Sequence, residues 1–196
     1  MEYKLNHKTI YDLLFEQKNI FIEIFLMGFS VIFLAILANI RIPLWPVPIT
    51  MQTFGIFLMA FFFGSRKGTL TIILYILAGL AGFGVFTGYK SGISALLGPT
   101  GGYILGFLFM VFLVGKMIEK GYGRTKKSVL ICMLTGEFVL YLFGLTGLWL
   151  YLGNVSLLKV LTLGFFPFII GDILKIIAAI ALFPKLWNLS EKISRS

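Results

Sequence analysis

The sequence predicts an all-α membrane protein of six transmembrane helices with both termini in the cytoplasm, and three observations carry that reading. Hydrophobic residues make up 59% of the 196-residue chain and charged residues only 13%, against roughly a quarter charged in soluble domains. The mean hydropathy is +0.98. The apolar residues fall into six runs with short connections, and a chain of this length holds about six spans of roughly 20 residues and no soluble catalytic domain besides.

Each element follows from its residues. Residues 1–18, MEYKLNHKTIYDLLFEQK, form a polar leader with Leu5, Ile10, Leu14 and Phe15 loosely on one side. It lacks the short apolar core of a cleaved signal peptide, and two readings stand, a helix lying on the inner membrane surface or a solvated leader. Residues 19–187 then form a single transmembrane domain. Its predicted helices cover 19–40, 50–63, 68–82, 100–118, 128–152 and 160–183, and residues 188–196 form a cytoplasmic tail. The second and third are short for a full span. Beside them lie PLWPVPIT and GFGVFTGYKSGISALLGP, Gly/Pro-broken segments that remain apolar. Irregular backbone of that kind is tolerated near a membrane only where protein buries it or it lines a cavity.

Basic residues set the orientation. With the N-terminus inside, 13 of the 17 Lys and Arg residues fall on inner segments. Only Arg41, Lys90 and Lys159 fall on outer loops, and Lys175 lies within the last helix, so the positive-inside rule places both termini in the cytoplasm. The net charge of +9 is thus a topology signal. Nucleic-acid binding is excluded, because the basic residues are dispersed over separate segments without interleaved aromatics.

The residue inventory narrows the chemistry. One cysteine, Cys132, permits no internal disulfide, and one histidine, His7, builds no metal site. No phosphate-binding G-x-x-x-x-G-K-[ST] loop occurs, so any use of ATP belongs to a partner. No metal, no cofactor and no catalytic residue are expected.

What remains is charge inside the apolar runs. Glu23 lies near the inner end of the first helix, within reach of the interface. Glu137 is read as bonding across to a neighbouring helix. Asp172 and Lys175, in IIGDILKII, share a helix face at i,i+3, and counting from residue 160 sets them roughly 18 to 22 Å along the last helix, far from either interface. Two readings stand for them, an internal salt bridge or the polar floor of a small-ligand site. A carboxylate offers acceptors and an ammonium offers donors, a combination suited to a compact group with N–H and C=O side by side. On the outer side three helix N-termini converge, a setting that favours anions. The side chains offered there are Thr50, Gln52, Thr87, Lys90, Thr100 and Tyr103, with Trp45, Phe83, Phe86 and Trp149 as candidate apolar walls.

The segments RIPLWPVPITMQTF, FGVFTGYKSGISALLGPTGGYILGF and GDILK, in that order, resemble the signature segments of the BioY family, the biotin-specific S components of energy-coupling factor (ECF) transporters. The resemblance covers about residues 41–187. It implies a six-helix S-component fold, biotin as the transported ligand, and partners comprising two ATPases and a coupling transmembrane protein in a bacterial cell membrane. It also implies that Asp172 and Lys175 hold the biotin head group. Thr100 and Tyr103 match the entrance of the fourth helix, and Pro46, Pro48, Thr50 and Gln52 match a lid loop. Two other classes stay open on the residues alone, a self-sufficient proton-coupled transporter of a small carboxylated vitamin and an intramembrane enzyme. Against both, the chain shows no internal repeat of broken helices and no nucleophile–base set.

Overall fold

The computed structural model describes residues 9–15, 19–153 and 155–195. In chain order the elements are α1 (Ile10–Leu14), α2 (Ile20–Asn39), the strands β1 (Arg41–Ile42) and β2 (Ile49–Thr50), and α3 (Gln52–Leu80). There follow α4 (Ile93–Leu96), α5 (Gly101–Glu119), α6 (Lys126–Leu152), α7 (Leu157–Gly164), a 3-10 turn (Phe166–Phe168) and α8 (Ile169–Arg195). Among the described residues, α2, α3, α5, α6 and the stretch Leu157–Ser194 are long and apolar enough to cross a membrane.

α3 contains two of the six apolar runs. Gly64, at φ 73° and ψ −164°, has a non-helical backbone in the middle of it, a conformation that glycine alone adopts without a side-chain clash. The chain doubles back there. Gln52 Nε2 donates to the Tyr75 hydroxyl at 2.9 Å, whereas 23 residues of straight helix would separate them by about 34 Å. The two arms are therefore antiparallel, and together they correspond to the predicted helices 50–63 and 68–82. The second arm is capped from a distance, with Ser65 N donating to Glu119 Oε1 at 2.8 Å.

The last predicted helix, 160–183, is not continuous. α7 ends at Gly164, Phe165 leaves helical geometry, and the 3-10 turn carries Pro167 in its first positions. Proline has no N–H to continue the preceding helix and its ring clashes with the turn behind it. A new helix starts at Ile169, so Asp172 lies in a first turn. That corrects its expected position deep along one unbroken helix, and it places the carboxylate near the positive end of the helix dipole. α8 also runs on to Arg195, so most of the expected tail is helix.

Of the N-terminal segment only residues 9–15 are described, and Leu5 lies outside the described residues. Its described part, α1, starts from a reciprocal cap in which Asp12 N donates to Thr9 Oγ1 and Thr9 N donates to Asp12 Oδ2. Tyr11 and Leu13 are fully buried, with the Tyr11 ring 5.2 Å from Phe15 and 5.9 Å from Phe63. The helix is packed into one end of the bundle. At that end too, Lys67 Nζ forms an ion pair with Glu23 at 2.8 Å and lies over the Tyr11 ring.

The opposite end holds the broken segments. There the β1–β2 ladder pairs Arg41 with Thr50, and Asn39 Oδ1 accepts from Gly88 N and Tyr89 N at 2.9 and 3.1 Å, tying the loop after α3 to the end of α2. Where α5 meets α6, a Cβ on Gly102 would lie 2.5 Å from the Phe143 carbonyl and 2.8 Å from Gly147 Cα. Two glycines let the backbones touch and bring the start of α5 against α6.

The two ends thus group the segments assigned to the inner and the outer side. With Cys132 fully buried, single cysteines report the orientation. Tyr89→Cys is expected to react with an impermeant maleimide on intact cells, and Lys127→Cys only after permeabilisation. The reverse pattern would invert the protein.

Candidate ligand site

A cavity opens between the broken segments and the helices, and its floor is charged. Asp172 and Lys175 are both buried, 8% and 6% exposed, and Lys175 Nζ donates to Asp172 Oδ1 at 3.0 Å. The pair is not isolated. Lys175 Nζ also donates to Thr53 Oγ1 at 2.7 Å, and the Tyr141 hydroxyl donates to Asp172 Oδ2. Three helices are joined through one pair, α8 through its own residues, α3 through Thr53 and α6 through Tyr141. Such a pair avoids the cost of an unpaired buried charge. One N–H of the ammonium stays uncommitted, and the carboxylate oxygens keep further lone pairs.

Seven of the eight residues singled out in the sequence line this one cavity. They are Thr50, Gln52, Thr87, Thr100, Tyr103, Asp172 and Lys175. Lys90 does not; its side chain is exposed, and its backbone carbonyl accepts from Phe86 N at 3.1 Å, closing a small loop. Of the candidate walls, Phe86 lines the cavity. Trp45, Phe83 and Trp149 lie outside it and are exposed.

Several lining side chains are already committed. The Tyr103 hydroxyl donates to the Gly164 carbonyl at 2.7 Å, one of those freed where α7 ends, so it is the ring that faces the cavity. Gln52 Nε2 donates to Tyr75, whose hydroxyl donates to the Val85 carbonyl at 2.7 Å. That relay fixes the loop carrying Phe86 and Thr87 to both arms of α3. Thr87 Oγ1 has no hydrogen-bond partner among the described residues. Met51 and Thr100, at the starts of α3 and α5, make no side-chain cap; the first N–H of each helix is nonetheless taken, Gln52 N donating to Thr50 Oγ1 at 3.2 Å and Gly101 N to the Gly98 carbonyl at 3.0 Å, so the N–H groups of the following residues are the ones a ligand could meet.

The structure adds three polar residues to the cavity wall, Thr53, Glu137 and Tyr141. Glu137 is the correction that matters most. It was expected to bond to a neighbouring helix, yet neither carboxylate oxygen has a hydrogen-bond partner among the described residues, and the residue is 6% exposed. It is fixed by its backbone, because Gly136 lets α6 approach so closely that a Cβ there would lie 2.5 Å from the Phe57 ring. Tyr141 follows Glu137 at i+4, so the two share a helix face. That spacing, with Thr53 directly after Gln52, is the signal the sequence offered.

Comparison with known proteins identifies the chain. The profile of the BioY family matches residues 11–192. The chain belongs to the BioY family. It is 37% identical over 142 residues to the "Biotin transporter BioY" of Thermotoga maritima, covering 72% of this chain and 82% of that one. To the "Probable biotin transporter BioY" of Pyrococcus horikoshii it is 35% identical over 165 residues, 84% of this chain and 95% of that one. These relatives are named as transporters and not as enzymes. The fold matches a crystal structure of the S component for biotin from an ECF-type ABC transporter with a TM-score of 0.63 and 24% identity, over 89% of this chain and 91% of that one. An S-component fold is thus what this BioY-family sequence builds.

Tyr75→Phe tests the relay at the cavity mouth. It leaves a buried amide donor and the Val85 carbonyl without partners, a loss of about 1 to 3 kcal/mol. The expected outcome is a lower melting temperature in detergent and faster proteolysis of the loop between Ala81 and Gly92. Unchanged values for both would show that the relay holds nothing in place.

Proposed function

We propose that this chain is a high-affinity biotin-binding subunit of the bacterial cytoplasmic membrane that mediates biotin uptake, energised by two partner ATPases and a coupling transmembrane protein. The observation that carries the reading is the buried Asp172–Lys175 pair at the floor of an otherwise largely apolar cavity, in a chain whose relatives are named biotin transporters. Biotin offers matching chemistry, a ureido ring with N–H groups flanking a carbonyl, an apolar sulfur ring and a flexible tail ending in a carboxylate.

Lys175 donates its free N–H to the ureido oxygen, and Asp172 accepts one ureido N–H through a remaining lone pair. Phe86, Phe107 and Phe168, which line the cavity, cover the thiophane ring. The tail carboxylate points to the mouth, toward the uncapped start of α5 and Thr100. Thr50 and Gln52 close over the ligand. Lys90 lies outside the cavity and has no contact in this arrangement. The chain itself supplies binding and a path, and ATP hydrolysis belongs to the partners.

Mass spectrometry of small molecules that copurify from rich medium is expected to find biotin, and uptake is expected to require ATP. Uptake that persists without ATP in a strain lacking coupling subunits would overturn the energised reading. The charged floor is tested by combining Asp172→Asn with Lys175→Met, which removes both charges together and so avoids stranding one of them. The double variant is expected to fold. Its biotin affinity is expected to fall roughly tenfold to more than a hundredfold, the effect of losing charged hydrogen-bond partners. Unchanged affinity in isothermal titration would reduce the pair to a structural salt bridge.

A further inference from the structure

Three ionisable side chains reach the deep part of the cavity, Glu137, Asp172 and Lys175. Two carboxylates face one ammonium there. Asp172 is satisfied on both oxygens, by Lys175 and by Tyr141, whereas Glu137 has a partner for neither oxygen among the described residues. A buried polar group without a partner is rare in folded proteins and costly to keep. A packed apolar residue in that place would stabilise the empty protein better, so an unpartnered carboxylate in a binding cavity points to a partner that arrives with the ligand.

We propose that Glu137 is a ligand-binding residue that accepts the second ureido N–H, so that two carboxylates on different helices, α6 and α8, read the two N–H groups flanking the carbonyl held by Lys175. This rests on biotin being the ligand. The acceptor inventory supports it. A ureido ring brings two donors and one acceptor, and Asp172, Glu137 and Lys175 offer the complement. Glu137 and Asp172 also line together a second, outer groove between α6 and α8, along with Tyr141, which sets the two carboxylates on either side of one seam. Discrimination follows from the same geometry. A ligand with a carbonyl but lacking either N–H leaves one buried carboxylate unpaired, the kind of mismatch that polar sites reject most strongly.

The test compares wild type, Glu137→Gln and Glu137→Met by isothermal titration in detergent. The probes are biotin and its two derivatives methylated on one or the other ureido nitrogen. Gln keeps the shape and one acceptor, and Met keeps neither charge nor acceptor. Biotin affinity is expected to fall roughly tenfold or more in Glu137→Gln and further in Glu137→Met. Wild type is expected to reject both methylated isomers. Glu137→Met is expected to reject only one of them, the isomer whose methyl faces Asp172. Melting temperatures without ligand are expected to stay level or rise in both variants, since among the described residues Glu137 makes no side-chain hydrogen bond that either substitution would break. Unchanged biotin affinity, or equal rejection of both isomers by Glu137→Met, would overturn the assignment and leave biotin binding intact. Weaker binding accompanied by a lower ligand-free melting temperature would assign Glu137 a structural role and overturn the proposal equally. Wild type that binds no biotin would overturn the reading on which it rests.

Discussion

A lysine ammonium held away from water among membrane helices must be paired, and the way Lys175 is paired organises much of this molecule. Its carboxylate partner, Asp172, lies three residues back in the same helix, which fixes the pair locally. Its second acceptor, Thr53, lies 122 residues away in sequence and 2.7 Å away in space. Satisfying one ammonium therefore draws the start of α3 onto α8, and satisfying Asp172 draws in Tyr141 from α6. Leaving any of these groups buried without its partner would be costly. The same three helices then wall a cavity, because residues that must converge on one charge cannot also pack flat against each other.

The backbone obeys a related constraint. Inside a bilayer a polar backbone group that is not bonded internally needs protein or a wet cavity around it. The chain concentrates the irregular segments around its cavity where that condition holds. The break after Gly164 returns its carbonyl to Tyr103, and the loop after α3 returns Val85 to Tyr75 and Gly88 to Asn39. Side-chain hydroxyls and amides thus satisfy loop backbone that no helix or strand takes up, and the site's mouth is built from those bonds. At the other end Gly64 reverses the chain, and Glu119 accepts from the buried Ser65 N–H at the start of the returning arm.

Some site residues were legible because their chemistry is improbable where they stand. An Asp and a Lys in an apolar run are conspicuous whatever the fold. Thr50, Gln52, Thr100 and Tyr103 lie in or beside Gly/Pro-rich breaks that a membrane tolerates only where protein buries them or they line a cavity. Lys90 carried the same cues and lies outside the cavity, because a one-dimensional pattern shows that a loop is near a cavity and not which side chains of the loop turn inward. Glu137 was visible as an intramembrane acid, but its lack of a partner is a fact about what its neighbours bond to instead. Tyr141 is such a neighbour, committed to Asp172. Thr53 looks like any helix-start threonine until Lys175 reaches it.

The sequence by itself determined that this is a helical membrane protein, where its apolar runs lie, which ends share a side and which charges require an explanation. All of these depend on composition and on spacing along the chain, which the bilayer's thickness and polarity translate directly into structure. Only the tertiary structure decided that residues 160–183 are two helices, that Asp172 stands in a first turn, and that Asp172 and Lys175 find Tyr141 and Thr53 while Glu137 finds no hydrogen-bond partner among the described residues. Hydrogen-bond partnership between segments depends on distances of about 3 Å across helix contacts, and residue order along one strand of sequence carries no record of such distances.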